Sequence, residues 1–174
     1  MERGCSDLKV YLVAYAPTSP HRLVDLAKIA YSVGIVRGFI VVKPVGIAAQ
    51  VGVPEVFRIA YKLGKNFLVL SHINELKELL SISNIVFMVQ SSKEANDVSR
   101  LLDKLENSVA IVVQAGEAPF AREDLSHGYI ARIQEFDDKL SPNAVAEATA
   151  SLLKIYAHLQ RCDSGSSDIL RQNQ

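Results

Sequence analysis

Apolar residues in this chain come in short unbroken runs, separated by stretches with helical spacing. Leu8 to Tyr15 (LKVYLVAY), Gly38 to Lys43 (GFIVVK), Asn66 to Leu70, Ile85 to Gln90, Ser108 to Gln114 and Tyr129 to Ile133 each read as a strand. Most are continuous Val, Ile, Leu and Phe without polar alternation, the pattern of a parallel sheet covered on both faces. The intervening segments predict helices. In the first, Ser19 serves as N-cap with Pro20 at the first helical position; Leu23, Leu26, Ala27 and Ala30 share one face, and Gly34 ends it. Others are predicted from Pro54, over Ile73 to Ser81, over Lys93 to Glu106 and over Ala144 to Gln160. The last carries Val145, Ala148, Leu152, Ile155, Tyr156 and Leu159 as an apolar stripe. Strand–helix alternation throughout predicts an α/β three-layer fold with a mostly parallel sheet.

The 174 residues suit one domain, over residues 1–161, followed by a polar, flexible C-terminal tail over 162–174. Lys plus Arg equal Asp plus Glu at 19 each, so a face for any polyanionic partner has to come from local clustering of cations. Cys5 and Cys162 have no metal-ligand spacing and read as free thiols of a reducing cytosol, with a bridge left open. His21, His72, His127 and His158 are scattered, and no metal site is predicted. No run is long enough for a membrane span, and Met1 to Asp7 lacks the order of a signal peptide, which together predict a cytoplasmic protein.

Two segments suggest chemistry. VVQAGEAPF (Val112 to Phe120) follows the fifth predicted strand, and open α/β sheets bind ligands beyond the carboxyl ends of their strands. RIQEFDDKLSPNAVAEATASLLKIYAHL (Arg132 to Leu159) reads as a short strand, an irregular acidic loop (Glu135 to Asp138) and a helix that Ser141 caps, with Pro142 at its first position. This wording resembles the last motif of the SpoU branch of the SPOUT (α/β-knot) RNA methyltransferases, R-I-P-M-x-G-x-x-x-S-L-N-V-S-V-A. Arg132, Ile133, Ser141 and Asn143 fall at the matching positions. Ala115, Gly116 and Glu117 resemble the family's G-x-E, and LAKIAYSVGI (Leu26 to Ile35) its A-R-T-A-x-A-F-G, with Lys28 at the arginine. The family's asparagine six residues earlier is absent, and Arg22 stands there. The resemblance covers most of Leu8 to Leu159, and it extends to a little-characterised archaeal group that is labelled SpoU-like or nuclease.

The resemblance implies a C-terminal trefoil knot and an S-adenosylmethionine site formed by Gln114, Ala115, Gly116, Ile133, Gln134, Leu140, Ser141 and Asn143. Backbone groups around Ile133, Gln134 and Leu140 would hydrogen-bond the adenine edge. It also implies Lys28, Glu117 and Arg22 as catalytic residues, RNA (tRNA or rRNA, not distinguished) as partner, and a two-fold homodimer. The missing asparagine and the neutral charge keep an alternative open: a non-catalytic knotted dimer that binds a nucleotide-like ligand or an RNA partner. KPVGIAAQVGVPEVFRIA (Lys43 to Ala60) has Gly46 and Gly52 bracketing a small-residue loop that ends at a helix N-terminus. Either an anion docks there with help from Lys43 and Arg58, or the loop is simply a tight connection. A metal-dependent nuclease needs clustered carboxylates, and Asp137 and Asp138 have no evident partners.

Overall fold

β1 (Lys9–Tyr15) lies inside the sheet and pairs in parallel along its full length with the central strand, β6 (Ser108–Gln114), on one side and from Val10 onward with β2 (Val36–Val42) on the other. The computed structural model describes residues 7–90, 94–137, 139–140 and 142–171, the last nine of these as backbone. β3 (Asn66–Leu70), β4 (Asn84–Met88), β5 (Asn96–Asp97) and β7 (Tyr129–Arg132) complete a seven-stranded sheet of order β3-β2-β1-β6-β4-β7-β5. Every pairing is parallel, so all carboxyl ends lie along one edge.

The helices cover the two faces unequally. α1 (Pro20–Ser32), α2 (Val53–Leu63), α4 (Val98–Leu101) and α6 (Ala144–Arg171) bury one face, where Leu12, Leu26, Phe39, Ile111, Leu152 and Ile155 form the larger core. Among the described residues, the one-turn helices α3 (Glu75–Glu78) and α5 (Arg122–Leu125) and their flanking loops cover the other, over Ile40, Ile85, Phe87 and Val112. Both faces being covered explains the unbroken apolar strands. The Ser19 cap forms as expected, its hydroxyl accepting from the Arg22 backbone N–H.

Several local expectations are corrected. The helix expected from Lys93 to Glu106 is instead β5, a single turn of α4 and a 3₁₀ turn at Leu102–Lys104, with Lys93 itself outside the described residues. Asn96 and Asp97, poor helix formers, join the sheet edge against Ala131 and Arg132. The helix expected over Ile73 to Ser81 shrinks to α3. The Gly46–Gly52 stretch is no open loop: a π-helical turn at Ala48–Gly52 runs directly into α2, and Val53 N–H donates to Ala48. The free N-terminus expected at Pro54 for an anion therefore does not exist. α6 begins at Ala144, the start expected for the final helix, but Asn143 provides the cap (its Oδ1 accepts from Ala146 N–H at 2.9 Å), so Pro142 is not its first position; Ser141, the expected cap, lies outside the described residues. α6 also continues past Gln160 to Arg171, for Gly165 costs an established helix only about 1 kcal/mol. Cys162 is disulfide-bonded, not a free thiol; the chain's other cysteine, Cys5, lies outside the described residues.

Gly128 sets where β7 enters the sheet. A Cβ there would lie 2.2 Å from the Ile85 carbonyl oxygen of β4, a contact that only backbone movement could relieve. Gly128→Ala is expected to lower stability by about 1–3 kcal/mol in urea unfolding; an unchanged midpoint would show that β7 tolerates displacement.

Candidate cofactor and substrate site

Chain order reverses at β1: the segment after it builds outward through β2 and β3, while β6 flanks its other side. Such a reversal opens a crevice beyond the carboxyl ends of the two diverging strands. Here the loops after β1 and β6 meet backbone to backbone. A Cβ on Gly116 would lie 2.0 Å from the Ala16 carbonyl oxygen, so only glycine fits. Ala16 itself is held at φ 46°, and Ala115 N–H donates to the Tyr15 carbonyl at 2.9 Å. Arg22, in the first turn of α1, reaches across: its Nη1 donates to Ala115 O at 3.2 Å and lies 3.6 Å from Glu117 Oε1. Gln114 Nε2 donates to the carbonyls of Gly116 and Glu117. Five of the expected site residues are thus brought together. Glu117 is largely exposed, so its ion pair with Arg22 adds little stability. Lys28 stands apart, exposed about 9 Å further along α1 and turned about 240° from Arg22.

The remaining expected cofactor residues belong to the connection from β7 to α6. Gln134, Leu140 and Asn143 are exposed, whereas Ile133 is buried. Both backbone groups of Ile133 are held by one side chain: Gln90 Nε2 donates to Ile133 O at 2.9 Å, and Ile133 N–H donates to Gln90 Oε1 at 3.2 Å. Gln90 follows β4, which lies between β6 and β7, so this amide separates the two halves of the expected site. Sequence reading places Gln90 only at a strand end, since its partner is 43 residues away.

Directly beneath the β1–β6 crevice, on the thinly covered face, lies a cluster that sequence reading misses. Tyr15 Oη donates to Asp124 Oδ2 at 2.5 Å, and Lys43 Nζ donates to the same oxygen at 2.7 Å. Phe120 packs on both Tyr15 and Phe87, and Lys43 Nζ sits 5.4 Å from the Tyr15 ring centre. Burial opposes the charge on Asp124, but the hydrogen bonds from Lys43 and Tyr15 outweigh it and hold the carboxyl below its usual range. The Asp124 hydrogen bond in turn raises Lys43, and burial with Asp124 raises Tyr15. Lys43 occupies the left-handed region at φ 53°. The cluster ties α5, and with it the chain segment following Gly116 and Glu117, to the ends of β1 and β2.

Comparison with known proteins gives the class first. The structure is similar to a probable methyltransferase from Bordetella pertussis Tohama I (TM-score 0.66, 16% identity, 88% of this chain and 98% of that one). It is also similar to the SpoU methyltransferase AviRb from Streptomyces viridochromogenes in complex with AdoMet (0.66, 18%, 91% and 62%). A third is the AdoMet-bound rRNA methyltransferase from Sinorhizobium meliloti (0.66, 15%, 87% and 57%). At such identities the likeness shows the fold: this is an α/β protein with the architecture of the SpoU-type methyltransferases. In sequence, a family model described as RecB-family nuclease (DUF2122) matches residues 46–153. A relative from Aeropyrum pernix named "Putative type II restriction enzyme ApeKORF2002P" is 32% identical over 145 residues, covering 83% of this chain and 91% of its own. The chain belongs to this DUF2122 family.

One acid near the β7–α6 connection has no counterpart in the expected site. Glu147, in the first turn of α6, is 6% exposed, and burial pushes its carboxyl up to about 7 from an ordinary 4.5. The folded state therefore holds more protons than the unfolded one between these values. Its stabilising contribution is complete below about pH 4.5 and is lost as pH rises through about 7. Glu147→Gln is expected to remove this loss. The variant should exceed the wild type by on the order of 2–3 kcal/mol at about pH 8 and converge with it near pH 4 to 5, read by urea unfolding. Parallel pH profiles would show that Glu147 is solvated.

Proposed function

We propose that the protein is an S-adenosylmethionine-dependent RNA methyltransferase. The observation that supports this most directly is the Ile133 backbone pair. Its N–H and C=O are engaged by an amide edge, one donor beside one acceptor, which is the pattern an adenine edge presents. A cofactor adenine would take these groups if Gln90 turned away, with Gln134, Leu140, Ser141 and Asn143 around it. Gln114, Ala115 and Gly116 would bound the methionine side. The cofactor would supply an electrophilic methyl group. Arg22, which reaches Ala115 and Glu117 across the crevice, would hold an RNA phosphate, and Glu117 would orient or deprotonate the accepting group. Lys28, farther along α1, would contact the RNA backbone. Two of the proteins similar in fold hold AdoMet, and one of these is an rRNA methyltransferase, which agrees with this reading.

The reading includes a C-terminal knot and a two-fold dimer. β7 lies between β4 and β5, strands formed earlier in the chain, as a threaded C-terminus would require. Leu153 and Tyr156 of α6 are 54% and 44% exposed and would meet a second copy. A nuclease is the second reading, favoured by the family's description as RecB-family nuclease and by the name of the Aeropyrum relative. The described residues bring together no group of three or more His, Cys, Asp or Glu able to hold a metal ion. Nor is any described helix long and apolar enough to cross a membrane.

Calorimetry and thermal unfolding with S-adenosylmethionine test the reading, alongside methyl transfer to total RNA. Micromolar binding, about −8 kcal/mol, is expected. Gln90→Ala should unfold at lower temperature without ligand, because it takes away the partner of the buried Ile133 N–H (the Ile133 carbonyl still accepts from Phe136 N–H at 3.2 Å), yet gain a larger thermal shift from the cofactor. Arg22→Ala should reduce methyl transfer at least tenfold. No heat and no shift in either protein would reject the proposal, and chelator-sensitive cleavage of nucleic acid would favour the nuclease.

A further inference from the structure

The outer face of α2 has an unusual surface for a helix at the edge of a domain. Only Val56 and Ala60 of its eleven residues are buried. About 100° round the helix from them, Phe57 and Tyr61 project at 59% and 80% exposure, their rings stacked 6.4 Å apart at 25°. Beside them the edge strand β3 leaves Leu68 and Val69 40% and 44% exposed. Between helix and strand runs an open, apolar groove of about 710 Å³, lined among others by Phe57, Phe67 and Leu68, with Arg58 on its wall.

Charge separates this face from the rest of the chain. Arg58, Lys62 and Lys65 are all exposed here against one acid, Glu55, in a protein whose formal net charge is zero. At about 100° per residue, Phe57, Tyr61, Arg58 and Lys62 fall within one arc of roughly 140°, so rings and cations look the same way. We propose that this strip binds single-stranded RNA, with bases stacking on Phe57 and Tyr61 and phosphates held by Arg58, Lys62 and Lys65. Stacking platforms flanked by cations are how proteins hold unpaired strands without reading sequence. A second copy fits less well, because a two-fold contact would press three cations per protomer together against one acid. The inference goes beyond the methyltransferase reading and rests on it only for the choice of RNA over DNA, which the DNA counterpart in the test checks separately from methyl transfer.

The test is fluorescence anisotropy of the full chain with a labelled oligo(U) of about 12 nucleotides, its DNA counterpart, and a salt series, with size-exclusion chromatography of the same samples. Because the substituted residues are exposed, the variants should unfold like the wild type. Phe57→Ala/Tyr61→Ala is expected to weaken RNA binding roughly tenfold or more. Arg58→Glu/Lys62→Glu should weaken it further and flatten the salt dependence by about one to two contacts. Lys104→Glu, an equal charge change elsewhere on the surface, should leave it unchanged. No binding by the wild type, equal or tighter binding to DNA, or binding indifferent to both double variants would overturn the proposal. So would an aromatic variant that dissociates a dimer while RNA binding persists, which would assign the face to a second copy.

Discussion

The pairing of β6 with β1 is the constraint on which the rest of the structure depends. Seven residues of each are in register, and both strands are almost wholly buried. That pairing sets the loop after β6 against the loop after β1, where Gly116 meets Ala16 with no room for a side chain. It also carries Ala115 to within reach of Arg22, so that the first turn of α1 and the fifth long strand share one crevice. The Asp124 cluster then fastens the far end of the same loop beneath the strands that define its start. One side of the candidate site is therefore rigid at both ends.

The other side arises differently. β4 separates β6 from β7, and the chain leaving β7 is joined to the chain leaving β4 through the Gln90 carboxamide instead of a continued ladder. A side chain closing a backbone pair can be withdrawn without unpairing the sheet, which a strand partner could not do. The sheet and α1 thus form a fixed wall, facing one whose polar groups can be released at the cost of about two hydrogen bonds.

Much of the architecture was legible because the central strands are apolar throughout and the first helix has an unambiguous cap. The resemblance named Gly116 and its neighbours, which the structure brings to Arg22, and Ile133, which it ties to Gln90. What escaped sequence reading depends on distant partners. Asn96 and Asp97 carry no strand signal of their own and become β5 only because β7 offers an edge. Asp124 sits 109 residues from Tyr15 and 81 from Lys43, and the left-handed backbone at Ala16 and Lys43 has no mark in residue type. The π-helical turn before α2 was hidden for another reason: its glycines suggest a loop, but Gly52 lies against α1, where a Cβ would come within a tight 3.1 Å of Pro20 Cα. There, close packing against α1 favours the glycine, not freedom of the backbone.

The two edges of the sheet are not equivalent. β3 presents five residues and exposed aliphatic side chains, whereas β5, at the opposite edge, is two residues long. Growth of a sheet from molecule to molecule needs a donor edge at one end and an acceptor of comparable length at the other. A strand as short as β5 cannot template a neighbour, so edge-to-edge contact through β3 would end with a closed pair. The truncated strand acts as a terminator, sparing an apolar edge from the open-ended polymerisation that its composition would otherwise invite.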